Sequence, residues 1–226
     1  FGACKGNIRK TTWSLLTMSF PLTLNRLTLN LFTTIENLLI PYQLKLFGYS
    51  SSDALSIYGI LTGMAFAIIM FPTVLTNSIS VLLLPVVSEA QAKHNDRLIR
   101  EAIIKTTESC LLLGLLCTIG LLVLGDFIGN FIFKNALSAT FIVTMSWICP
   151  FLYLGSTLNS IFHGLGKPGI TLFLNLFSCL IRILFIISDS VIGIKGYLTG
   201  LLISQIALCV LALLWLYRLM KKGSSG

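Results

Sequence analysis

The chain has 226 residues and a formal net charge of +8; 55% of the residues are hydrophobic and only 11% are charged, and the mean hydropathy is +0.91. A soluble domain carries roughly 25% charged residues, so an ordinary water-soluble fold is excluded. The apolar windows are also too long and continuous for transmembrane strands, which alternate over about ten residues. The composition is that of an all-α polytopic membrane protein.

A bilayer-spanning helix needs about 20 mostly apolar residues. Six stretches qualify, near 12–42, 55–87, 109–132, 137–162, 169–190 and 194–219. As a straight helix the first would be roughly 46 Å long against a hydrocarbon core of about 30 Å, so it must tilt, bend or project. It contains Pro21; the second contains Pro72 and Pro85, and the fourth Pro150. Proline removes a backbone hydrogen bond and clashes with the preceding turn, so kinks are expected at Pro21, Pro72 and Pro150, of the kind that builds cavities and hinges in transporters. Gly59 with Gly63, Gly114 with Gly120, and Gly196 with Gly200 are expected where helices approach closely.

Between the second and third spans lies the longest polar stretch, "SEAQAKHNDRLIREAIIKTTES". Its Leu98, Ile99, Ala102, Ile103 and Ile104 suit a helix lying on the membrane surface with a basic face toward head groups. "HGLGKPG", from His163 to Gly169, lacks the spacing of a phosphate loop and reads as a tight turn. Residues 1–222 form one transmembrane lobe, and the closing Gly-Ser-Ser-Gly, 223–226, reads as an appended linker.

Basic residues sort by side. Lys5, Arg9, Lys10, Lys93, Arg97, Arg100, Lys105, Lys167, Arg218, Lys221 and Lys222 fall on one side of such a bundle, and Lys45, Lys134 and Lys195 on the other. The positive-inside rule places both termini in the cytoplasm. The net charge then reflects topology and anionic lipid, and nucleic-acid binding is not expected because no basic stripe is interleaved with aromatics. The six cysteines are scattered apolar fillers without metal-ligand spacing. Neither a metal nor another cofactor is expected, and the absence of any catalytic constellation argues against an enzyme.

Charged groups inside a bilayer cost about 2.5–3.5 kcal/mol at a helix centre and face a partner or a wet cavity. Arg26, Glu36 and Arg182 are such groups. Counted from the span ends, Glu36 lies about 9 Å and Arg182 about 12 Å from the same surface, so they are expected to form an ion pair that either pins two helices or couples to an ion. Arg26 has no acid at matching depth and is expected in an aqueous cavity or on an anionic ligand. Asn25, Asn30, Asn77, Asn159 and Asn175 are further intramembrane polar groups.

The run "TIENLLIPYQLKLFGYSSSDALSIYGILTGMAFAIIMFPTVLTNSISVLLLPVVSEAQA", with "WICPFLYLGSTLNSIFHGLGK" and "IRILFIISDSVIGIKGYLTGLL", resembles the stage V sporulation protein B family. That family is a polysaccharide-exporter branch of the multidrug/oligosaccharidyl-lipid/polysaccharide flippase superfamily. The resemblance implies two six-helix lobes around a central cavity, with this chain as the second. It implies a missing first lobe, a location in the bacterial cytoplasmic membrane, and alternating access for a polyprenyl-pyrophosphate-linked sugar whose tail stays among the membrane lipids. Arg26, Asn25, Asn30 and Asn77 would then line the substrate cavity, with Glu36, Arg182 and Asn175 as the ion-pair or coupling group. Related lipid II flippases, so aligned, carry a cavity arginine near position 67, where this chain has Ala67. Glu36 falls near a cation-binding position of that branch. Two other readings are a multidrug cation antiporter of the same superfamily and a non-transporting scaffold for cell-wall or spore-coat enzymes.

Overall fold

A computed structural model describes the backbone of residues 5–93, 96–192 and 194–223, and the side chains of 19–20, 23–93, 97–187 and 194–219. Nine α-helices lie among the described residues: α1 (Lys5–Leu46), α2 (Ser51–Ile60), α3 (Phe66–Met70), α4 (Thr73–Ala92), α5 (Asp96–Phe127), α6 (Ala136–Ser146), α7 (Cys149–Gly164), α8 (Pro168–Ile192) and α9 (Ile194–Gly223). π-turns at Leu61–Ala65 and Ile128–Ile132 join α2 to α3 and extend α5.

These helices make six consecutive rods. Ser51–Met70 and Thr73–Ala92 each suffice in length and apolarity for a span, but they touch only at their junction and so continue one another as a single long rod. The break falls at Phe71–Pro72. Pro72 offers no N–H to the Ile68 carbonyl, which takes the Phe71 N–H at 3.3 Å instead. From α7, the buried Tyr153 hydroxyl donates to the Ile69 carbonyl at 3.0 Å, fastening the break to the centre of the bundle. In the fourth rod, α6 and α7 meet at 56°, with Pro150 at the first turn of α7, where a missing N–H costs nothing. Pro85 sits inside α4 without ending it. α1 runs unbroken through position 21, so no break marks Pro21, whose side chain lies outside the described ones.

Three expectations need correction. The polar stretch 88–109 is not a surface helix: α4 runs to Ala92 and α5 starts at Asp96. Ile99, Ile103, Thr106 and Cys110 form a buried i, i+4, i+7, i+11 stripe that welds the start of α5 to the bundle. Arg97–Ile132 is therefore one helix of 36 residues, roughly 54 Å long and well beyond a ~30 Å core. Gly59 and Gly63 meet nothing within 4 Å, and neither does Gly120. The close contacts occur at Gly114 against Pro150 and at Gly200 against Phe185. Finally, α1 is not among the helices apolar enough to span by composition, because Asn, Thr, Arg and Glu punctuate it throughout.

The rim holding Lys93, Arg97, Arg100 and Lys167 is the basic rim, and its α7–α8 turn is tight. Gly166 takes a left-handed φ of +66°, while the Lys167 N–H bonds to the Phe162 carbonyl at 2.9 Å and the Gly166 N–H to the His163 carbonyl at 3.0 Å, a Schellman closure. At the opposite rim Ser50 caps α2 and Asn135 caps α6. α8 is the seam: it packs on α1 along one side and on α9 along the other, while α7 packs on α4, α5 and α9.

A Cβ at Gly114 would overlap the Pro150 backbone. Gly114→Val is therefore expected to lower the thermal midpoint of the detergent-solubilised protein, an overpacking penalty of about 1–3 kcal/mol; Gly59→Ala, facing open space inside a helix, is expected to hold or raise it.

Candidate functional site

α1 divides into three stripes. Leu24, Leu27, Leu31, Ile35, Leu38 and Tyr42 are exposed along one flank and suit contact with hydrocarbon. Asn25, Glu36, Ile40 and Gln43 are buried on the side that packs against α8. Between these flanks Arg26, Asn30, Thr33 and Asn37 recur at i, i+4, i+7 and i+11, all exposed, and so form one polar line about 16 Å long. The Thr33 hydroxyl bonds to its own helix at the Leu29 carbonyl. Near the opposite rim the line ends where the Tyr58 hydroxyl of α2 donates to Asn37 Oδ1 at 2.7 Å.

α7 supplies a facing wall. It is buried on every side but one, where Ser156, Asn159, Ser160 and His163 remain half-exposed. Asn159 Oδ1 and His163 Nδ1 are themselves buried and have no hydrogen-bond partner among the described residues, and His163 lies within electrostatic reach of Arg26. α1 and α7 scarcely touch; both pack on α8, which floors the cleft between them. Asn77 is exposed on α4, a helix packed against α7. Arg26, Asn30 and Asn77 are thus all exposed on the lobe. His163 is read from the sequence only as part of a turn; the signal for it is the polar, half-exposed face of α7 at 156, 159, 160 and 163, legible once the neighbours of α7 are known.

The α1–α8 seam holds two polar clamps. Arg182 Nε stands 3.0 Å from Glu36 Oε1, with side chains 21% and 6% exposed. The N–H is not aimed along that contact, for neither atom completes a directional hydrogen bond, and Arg182 Nη2 turns to the Cys179 sulfur at 3.3 Å. Charge, more than hydrogen-bond alignment, holds the pair, and its carboxylate keeps unused acceptor capacity. Nearer the basic rim, Asn175 Nδ2 donates to Asn25 Oδ1 at 3.1 Å, both residues buried. Two expectations fail here: Asn25 faces away from the cleft into the helix seam, and Asn175 serves Asn25 instead of the Glu36–Arg182 pair. An amide pair satisfies itself where an isolated amide would need water. No group of three His, Cys, Asp or Glu side chains among the described residues could hold a metal ion.

The profile of the lipid II flippase MurJ family matches residues 52–223. The chain belongs to that family. It is also 25% identical over 193 residues to the stage V sporulation protein B of Bacillus subtilis (strain 168), an alignment covering 84% of this chain and 37% of that relative. Its fold is that of one lobe of the multidrug and MOP superfamily transporters. It matches the outward-facing conformation of a multidrug resistance MATE family transporter with a TM-score of 0.80 at 14% identity, covering 96% of this chain and 48% of the other. For the inward-facing conformation the TM-score is 0.73 at 14% identity, with 96% of this chain and 50% of the other covered. A MOP superfamily transporter from Pyrococcus furiosus, described as having a binding pocket of reversed polarity, matches at 0.78 and 13% identity, covering 96% and 48%. The chain spans about half the length of these transporters and less of the sporulation protein. It is a multi-pass membrane protein of a flippase family, and the family and fold matches are to transporters.

Breaking a buried ion pair from one side leaves a charge uncompensated, at about 3–5 kcal/mol; the partial exposure of Arg182 puts this pair at the lower end. Glu36→Gln or Arg182→Gln alone should lower the thermal midpoint in detergent. The double variant should recover most of that loss, and a thermal-shift double-mutant cycle measures the coupling.

Proposed function

We propose that this chain is one lobe of a flippase that carries lipid-linked peptidoglycan or polysaccharide precursors across the bacterial cytoplasmic membrane by alternating access. The observation that carries this reading is the exposed polar line of α1 with Arg26 at one end, set in a helix whose other flank is apolar. A guanidinium with no carboxylate partner among the described residues calls, at membrane depth, for water or an anion, and its planar fork can bind two phosphate oxygens at once. A pyrophosphate-linked sugar supplies such oxygens, and Asn30, Thr33 and Asn37 offer hydrogen-bonding groups toward the sugar. Asn159 and His163 add polar atoms from the facing wall. The polyprenyl tail stays in lipid while a second lobe of the protein closes the cleft.

The electrostatics favour an anionic cargo over the cationic drugs of an antiporter. Carboxylates are absent from the polar line of α1 and from the half-exposed face of α7, and Glu36, at the same depth, is held by Arg182. That pair lies in the seam directly behind the cleft, and it is the coupling element of this reading: protonating Glu36 would remove the attraction that ties α1 to α8. Arg182 itself occupies the position of a bound cation. By the positive-inside rule the basic rim, with both termini, faces the cytoplasm.

In a strain depleted of its own flippase, Arg26→Ala should abolish complementation and lower precursor translocation in vesicles by tenfold or more, the loss of about 1.4 kcal/mol or greater. Arg26→Lys, which keeps charge without the fork, should fall between. Thermal stability should not change, since Arg26 is exposed. Full activity in Arg26→Ala would remove the phosphate-binding role and favour the scaffold.

A further inference from the structure

A groove of about 360 Å³ opens between α2 and the N-terminal halves of α6 and α9 at the opposite rim, away from the polar line of α1. Three features define its chemistry. Ile57, Phe141, Leu198 and Leu202 supply apolar walls. Three threonines also line it, but each hydroxyl donates to its own helix backbone: Thr140 to the Ala136 carbonyl, Thr144 to Thr140, and Thr199 to Gly196 at 2.8 Å. Each of these hydroxyls has committed its proton and keeps only acceptor capacity toward a ligand, and apart from the Tyr49 phenol and Lys195 the rest of the lining is apolar. The lining includes one ionisable cation, Lys195, in the first turn of α9, where the helix dipole adds positive potential. No carboxylate pairs with Lys195 among the described residues; Asp53, the acid of the α2 cap, is instead engaged by the Ser50 hydroxyl at 2.6 Å.

An apolar trough capped by a cation at the membrane surface complements one class of molecule, an amphiphile with an acidic head. Over Leu137–Thr144 and Ile194–Leu202 the walls run roughly 10–12 Å into the membrane, the depth of part of an acyl chain. We propose that this groove holds an acidic phospholipid of the leaflet at that rim, with an acyl chain between α2, α6 and α9 and the phosphate on Lys195. The volume falls within the ~300–1,000 Å³ range of small-molecule sites. Because the three helices otherwise meet sparingly, such a lipid would act as a wedge that sets their spacing. The groove lies outside the polar line assigned to the cargo, so this site stands or falls independently of the flippase reading.

The test is lipid retention by the purified protein in neutral detergent, read by native mass spectrometry during parallel titrations with phosphatidylglycerol and phosphatidylcholine of identical chains. The protein should retain phosphatidylglycerol about tenfold more tightly. Lys195→Gln should erase that preference, whereas Lys45→Gln, on the same rim but outside the groove, should keep it. Thr144→Phe, and independently Thr199→Phe, should fill the trough and release both lipids while the protein stays monodisperse. Equal retention of the two lipids by the parent protein, a preference that survives Lys195→Gln, or undiminished binding in a well-folded plugged variant would each overturn the site. So would displacement of the phospholipid by polyprenyl phosphate, which would make the groove a seat for the cargo's chain.

Discussion

The architecture depends on how one helix accommodates polar side chains where water is scarce. A buried polar group costs free energy unless it is bonded, and a charge costs far more. α1 meets this constraint in two ways at once. On the α8 side its polar groups are paired inside protein, Glu36 with Arg182 and Asn25 with Asn175. On the next face Arg26, Asn30, Thr33 and Asn37 are left uncovered. The first arrangement fixes α1 in the lobe; the second has a physical rationale where that face meets water, a polar ligand or polar groups from elsewhere in the protein. A helix that merely spanned the bilayer would need neither.

The rest of the lobe serves this division. The seam of α8 holds α1 at a distance from α7, so the polar faces of the two helices front a cleft instead of packing together. Tyr58 on Asn37 and Tyr153 on the broken rod at Ile69 tie α2 and α3 to the two walls. The breaks at Phe71–Pro72 and between α6 and α7 are both near the middle of their rods, and both abut Tyr153 or its helix. Long rods with defined points at which they can bend suit the alternating access proposed above.

Much of this was legible in the sequence, for reasons that differ by feature. Five of the six rods follow from apolar run length, α1 being punctuated by polar groups, and the Glu36–Arg182 pairing follows from depth counting alone, because two helices of the same direction keep register along the membrane normal. The break at Pro72 follows from a missing donor, and the bend before Pro150 from a proline that starts a helix more readily than it continues one. Depth counting does not say which way a side chain points, and this is where Asn25 and Asn175 were misplaced: one residue of rotation, 100°, separates Asn25 in the seam from Arg26 in the open. Polarity made 88–109 look like a surface helix, whereas the buried i, i+4, i+7, i+11 recurrence of Ile99, Ile103, Thr106 and Cys110 makes its second half the start of α5. Gly59 and Gly63 show the converse error, since small residues permit close approach without requiring it, and here nothing approaches.

The central claim is that the Arg26 line of α1 borders water while the Leu27 line borders lipid. Single cysteines placed at 26, 30, 33 and 37, and at 27, 31 and 38, in a protein whose own cysteines are replaced, can be probed in membranes with a charged, impermeant thiol reagent. The account predicts modification along the first set, slowed by lipid-linked substrate, and protection along the second. Equal labelling of both sets, or protection at 26, 30 and 33 in every condition, would contradict it.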